Sequence, residues 1–218
     1  MVTYDQIVRD PAIRTYIECA DKSLGALGFT EHSFAHVGNV AEMVKYILET
    51  LGYPTRVVEL GRIAAHLHDI GNRVNRADHS QSGAVMAFRI LDKMGMDPEE
   101  ICAIVTAIGN HDEGVGVPVD AMSAALILAD KCDVRRSRVR NQDKNTFDQH
   151  DRVNYSVYDS VLDFSGDKTE LILRLTLDDE FASIMDYFEI FMKRMLMCRR
   201  AAGKLGLKFR LIMNDQQM

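Results

Sequence analysis

The chain has 218 residues, of which 47% are hydrophobic and 27% charged, with a net charge of −6. That length suits one domain, or one domain with a small appendage, with enough apolar material for a full core. The negative balance argues against a chain-wide role in binding nucleic acid or acidic membranes.

The four cysteines, Cys19, Cys102, Cys132 and Cys198, are far apart and form no CxxC pair. Cys102 and Cys198 sit within apolar helical patterns, so they read as reduced core thiols. The start carries no basic segment followed by an apolar run, and no apolar run approaches a membrane span. The expectation is a cytoplasmic protein with no membrane partner.

In chain order, Val40, Ala41, Val44, Ile47, Leu48 and Leu51 follow helical spacing up to Gly52 and Pro54. Val57, Leu60, Ile63, Ala64, Leu67 and Ile70 form a second apolar face, ending at Gly71. A third helix starts at Ser80 or Ser82 and closes at Gly95. Asp97-Pro98-Glu99-Glu100 is a strong start signal: a capping Asp, Pro in the first helical position, and Glu three after the cap. That fourth helix runs to Gly109. Pro118 and Asp120 open a fifth, through Met122, Ala125, Leu126 and Ala129 past Asp130.

Residues 141–154 are polar and aperiodic, and read as a linker. Beyond them the period changes. A strand over 156–164, turn chemistry at Ser165-Gly166-Asp167-Lys168, and a strand with Leu171, Leu173, Leu175 and Leu177 on one face follow. A helix carries Phe181, Ile184, Met185, Phe188, Phe191, Met192 and Met195, and a last strand covers 208–213. Its methionines and phenylalanines read more readily as core than as a cofactor or partner surface. This β-β-α-β tail is too small to be comfortable alone, and is expected to pack on the helical part or on a second subunit. An edge strand of its sheet offers a route to a homodimer.

Polar residues interrupt this scheme at the helix ends. The stretch AAHLHDIGN, residues 64–72, sets His68 and Asp69 at the end of an apolar helix. Burying either unpaired is expensive. His36 opens the first long helix, His79 lies just before the third, His111 follows the fourth, and Asp130 lies late in the fifth. Six such groups suit two metal ions better than one, and a nitrogen-rich set favours Fe, Mn, Co, Ni or Zn over Mg or Ca. A lone histidine near a helix end is more often a cap or a surface residue; the joint pattern lifts these above that. His66 reads as a satisfied core histidine, His150 as solvated, His32 as a surface, supporting or substrate group, and Asp133 as solvating a helix end.

The ordered set His36, His68-Asp69, His79, His111 and Asp130 resembles the HD superfamily of metal-dependent phosphohydrolases over residues 32 to about 140. The pattern is most similar to the dinuclear diadenosine tetraphosphate hydrolase branch. GNHDEGVGVP has a fainter likeness to the cyclic-dinucleotide branch, which carries a double His where this chain has His111-Asp112. The resemblance implies a mainly α fold: an HD-type helical bundle over 1–140, a linker at 141–154, and a small C-terminal β-β-α-β appendage at 155–218. It implies that His36, His68, Asp69 and Asp130 hold one ion and His79 and His111 a second, with Asp69 bridging.

The implied activity is hydrolysis of a phosphate ester or anhydride, foremost of a nucleotide, by a metal-bound hydroxide. The cofactor is two divalent transition-metal ions, with Fe or Mn favoured. Many relatives continue HDIG with a phosphate-contacting Lys; here Asn72 stands there, followed by Arg73. Arg73, Asn72, Lys131, Arg135, Arg136 and Arg138 are candidate phosphate contacts, since guanidinium forks match phosphate geometry. DVRRSRVR reads equally as a solvated basic helix end. Asp112 and Glu113 are candidates to protonate a leaving group or orient water, or to cap a loop. Two other functions share the ligand set: a diiron oxygenase, and a nucleotide-sensing binding module.

Overall fold

The structure is a computed structural model that describes residues 1–218. Nine α-helices and a four-stranded sheet make it mainly α. The helices are α1 (Tyr4–Arg9), α2 (Pro11–Ala26), α3 (Phe34–Thr50), α4 (Thr55–Leu67), α5 (His79–Lys93), α6 (Pro98–Gly109), α7 (Ala121–Lys131), α8 (Gln149–Ser156) and α9 (Ile184–Lys204). The strands are β1 (Val157–Phe164), β2 (Glu170–Leu177), β3 (Lys208–Met213) and β4 (Gln216–Gln217). No helix is long and apolar enough to cross a membrane.

Start signals act where the sequence puts them. Asp97 accepts from the Glu99 amide with Pro98 in the first position, and Asp120 forms a capping box with Ser123. Glu100, the expected reciprocal member at α6, is drawn instead to Arg56, whose Nε donates to it at 2.7 Å. Between Asp120 and its buried end, α7 is apolar almost all round. It packs against α3, α4, α6 and α9 and is the central helix.

α4 ends at Leu67, earlier than Gly71, because the chain tightens into a 3₁₀ turn over Ile70–Arg73. Gly71 makes that turn possible. A Cβ there would lie 2.0 Å from the His79 carbonyl oxygen and 2.4 Å from the Gly83 amide. The turn therefore abuts the first turn of α5 backbone to backbone, and this brings His68-Asp69 beside His79.

Within the polar stretch 141–154, Asp148 caps α8, whose Val153 is fully buried. The tail follows the expected β-β-α-β order. β1 pairs antiparallel with β2, and β2 pairs parallel with β3 across the α9 crossover, placing Leu173 beside Leu211. One hydrophobic cluster runs from Val37 through Leu126 to Leu173 and Met213, so the tail shares the core of the helical part.

Two side-chain expectations fail on helical phase. Cys102, adjacent to buried Ile101, points outward and is exposed, while Cys198 is buried as expected. On α9 the buried face carries Tyr187, Phe191, Met195 and Cys198, whereas Met185 and Met192 are exposed.

Candidate metal centre and its pocket

Five helices deliver six polar groups to one point. His36 lies in the first turn of α3, His68 caps α4 and Asp69 follows it, His79 begins α5, His111 follows α6, and Asp130 lies in the last turn of α7. His36 and His68 are fully buried, and Asp69, His79 and His111 are nearly so.

Each imidazole has its Nδ1 engaged away from the centre. His68 donates to the Ala65 carbonyl (2.6 Å), His79 to Arg76 (3.1 Å), His111 to Ile108 (2.7 Å), and His36 to Asp133 Oδ2 (2.7 Å). This fixes the ring orientations and turns all four Nε2 atoms inward.

Asp69 divides the set. Its Oδ2 lies 3.2 Å from His68 Nε2 and 3.6 Å from His36 Nε2; its Oδ1 lies 3.6 Å from His79 Nε2 and 3.9 Å from His111 Nε2. Asp130 Oδ1 joins the first side, 3.3 Å from His36 and 3.7 Å from His68. Yet His36 Nε2, His68 Nε2 and Asp69 Oδ2 are buried without a hydrogen-bond partner. Buried donor atoms that converge without bonding one another fit a cation between them. Two overlapping groups have that geometry: His36, His68 and Asp130; and His68, Asp69 and His111.

The charges agree. Burial opposes a proton on His68, but Asp69 and Asp130 lift its pKa to about 10. Burial would raise both carboxyls, yet His68 beside Asp69, and Lys131 with His36 and His68 beside Asp130, hold them well below the usual carboxylate range. Burial keeps His79 and His111 neutral. Two carboxylates in a buried centre demand positive charge, which bound cations supply.

The other expected residues are placed as follows. Asn72 is buried and does not face the pocket. Its Nδ2 donates to Asp69 Oδ1 (2.8 Å) and to the Asp69 carbonyl (3.0 Å), so it positions the bridging carboxylate. Arg73 is exposed and bonds Ser23. Arg135 grips Asp133 through two nitrogens, and Arg136 bonds the Tyr155 carbonyl and Asp178, tying the helical part to the tail. Arg73, Arg135 and Arg136 are thus turned away from the site. Lys131 lines it, with Nζ 2.6 Å from Glu113 and 2.9 Å from Asp130.

Asp112 caps its loop at the Gly114 amide. Glu113 lines the pocket; burial would raise its carboxyl, but Lys131 and Arg194 hold it ionised far below the usual range. Glu113 is therefore held as an anion and is not poised as a proton donor. Asp133, read as solvating a helix end, orients His36. His66 is buried with neither ring nitrogen bonded, packed edge-on against Tyr4, so it is a core histidine but not a satisfied one.

The centre opens into a pocket of about 400 Å³. His32, which donates to the Thr30 carbonyl, lines it, and His150 stands at its wall. Sequence reasoning missed Arg76 and Arg194. Arg76 gives no signal beyond lying one turn past Asn72. Arg194 does: Tyr187, Phe191, Arg194 and Cys198 follow helical spacing, which sets an arginine in an apolar face.

The chain is similar to known proteins. A protein of Methanocaldococcus jannaschii described as uncharacterized is 25% identical over 201 residues, covering 81% of this chain and 76% of its own. A solved structure described as a predicted HD superfamily hydrolase, from an uncultured Thermotogales bacterium, is 22% identical with a TM-score of 0.42, covering 62% of this chain and 75% of that one. Residues 33–138, the segment that carries all six converging groups, match the family model of the HD domain.

Proposed function

We propose that the chain is a metal-dependent phosphohydrolase acting on a phosphate ester or anhydride of a nucleotide. The observation that carries this reading is the split of Asp69, one oxygen facing His36 and His68 and the other facing His79 and His111. His36, His68, Asp69 and Asp130 would hold one ion, and His79 and His111 a second shared through Asp69. Two such ions, when bound, would supply an activated water and neutralise phosphoryl oxygens.

The chain's own groups arrange the rest. The four Nδ1 anchors hold the imidazole rings with Nε2 toward the centre, so little reorientation of the rings is left at binding. Lys131 is locked between Asp130 and Glu113 and adds fixed positive charge beside the reacting phosphoryl group. Phe29 and Phe191 give the pocket an apolar edge suited to a base or sugar face, while cationic side chains meet the phosphate.

The test is anaerobic purification, elemental analysis, and a screen of mono-, di- and cyclic nucleotides for phosphate release. The reading expects bound transition metal and oxygen-independent hydrolysis that His68→Ala abolishes. Turnover only with O₂, or no phosphate release with any metal, would refute it.

A further inference from the structure

The pocket is not built by residues 33–138 alone. α9 sends Phe191 and Arg194 into it, and α8 closes another side with His150 and Asn154. Arg194 is the member whose chemistry is unspent. Its Nε donates to Glu113 Oε1 (3.0 Å), and its guanidinium lies 4.5 Å over the Phe191 ring. No protein acceptor meets its two terminal nitrogens, and the side chain keeps 26% of its exposure where it faces the cavity. A guanidinium fixed at Nε and on one face, with both terminal nitrogens free, is set for two parallel bonds to a phosphoryl group.

The pocket is lined by five carboxylates, Asp69, Glu113, Asp130, Asp148 and Asp151, and four cationic side chains, so an anion is accommodated beside Arg194 once cations occupy the centre at Asp69. Lys131 and Arg194 share the single carboxylate of Glu113, and Lys131 also neutralises Asp130. Arg138 lines the same pocket, with Nε and Nη1 spent on the Glu31 and Asp133 carbonyls. Arg76 lines it too, its Nη1 on Asn72. Each is anchored through part of its fork and leaves the remainder unbonded. Their anchors belong to the supports of the metal centre: Asn72 holds Asp69, and Asp133 holds His36.

We propose that Arg194, on C-terminal helix α9, binds phosphoryl oxygens of the substrate, so that the C-terminal region completes the substrate site for a compact phosphorylated molecule. Glu113 is its positioning residue. This rests on the phosphohydrolase reading of the same centre.

The probe is inorganic phosphate, titrated calorimetrically into the metal-loaded full-length protein and its variants. Arg194→Gln is expected to weaken phosphate binding on the order of 10- to 100-fold, the range for lost charge-assisted bonds, with metal content unchanged. Arg194→Lys keeps the pairing with Glu113 but loses the fork; it is expected to lose severalfold, and serves if the Gln variant does not fold. Unchanged phosphate affinity in Arg194→Lys and Arg194→Gln overturns the proposal, as does a wild type that binds no phosphate. Loss of phosphate binding with no ester hydrolysed by any form leaves the clamp standing and removes the hydrolase reading. Hydrolysis and phosphate binding that are both indifferent to Arg194 remove the clamp and leave the hydrolase.

Discussion

The Nε2 atoms of His79 and His111 lie 3.1 Å apart, although each ring donates its Nδ1 hydrogen to a backbone carbonyl. Burial favours the neutral form of both rings, and neutral rings anchored in this way set two lone pairs face to face. That contact is repulsive unless something positive stands between or beside them. Asp69 Oδ1, within 3.9 Å of both, completes a site for a cation.

It follows that removing metal should destabilise the protein. A chelator-treated sample, reconstituted at about 100 times the dissociation constant, should gain about 2.7 kcal/mol. For a chain of this size that is roughly 5–10 °C in Tm. Scanning calorimetry with and without metal checks this, and coincident transitions would count against the centre.

Asn72 acts on the metal through Asp69 rather than on substrate. Asn72→Leu removes both bonds to Asp69 while roughly keeping volume. Metal affinity is expected to fall about 10- to 100-fold, as for lost partners of ligating groups, with little change in substrate KM at saturating metal. A raised KM with normal metal affinity would instead return Asn72 to the substrate.

Gly71→Ala tests the backbone contact that sets His68-Asp69 against α5. The added Cβ overlaps the His79 carbonyl oxygen, which belongs to the helix backbone. A loss of about 3 kcal/mol or more is expected, at the upper end of overpacking costs, with weakened metal binding. Chemical denaturation measures the first and metal titration the second; a wild-type midpoint would show that the turn does not sit so close.

His66 makes stability depend on pH. Burial, then the nearby charges of His68 and Arg14, lower its pKa from 6.5 to about 4. The fold thus favours the neutral ring, and the unfolded chain binds more protons between those values. Its contribution is whole above pH 6.5 and falls away toward pH 4, by up to about 3 kcal/mol. His66→Leu removes this term. The variant should be within about 1 kcal/mol of wild type at pH 8 and the more stable protein at pH 5; parallel pH curves would contradict the assignment.

Much of the centre was legible because its ligands sit at helix ends, where an apolar period stops and a polar residue needs a reason. His36, His68, Asp69, His79, His111 and Asp130 all carry that signature, and the structure brings them together. What was hidden depends on contacts distant in sequence. Asp133 matters because it meets His36, 97 residues earlier, and Arg194 because it meets Glu113, 81 residues earlier. Local spacing says nothing of either encounter. Asn72 and Arg73 were read from their place after HDIG, but the 3₁₀ turn rolls Asn72 inward beneath Asp69 and Arg73 out toward Ser23. In the tail, strand periods were plain, while α8 was obscured by a polar sequence with few apolar residues to set a phase.

The most direct test of the account is metal stoichiometry under anaerobic, metal-saturated conditions, for the wild type and Asp69→Asn. Two transition-metal ions per chain in the wild type, falling well below two in the variant, is the predicted result. Fewer than one ion per wild-type chain, or two ions retained without the Asp69 carboxylate, would contradict it.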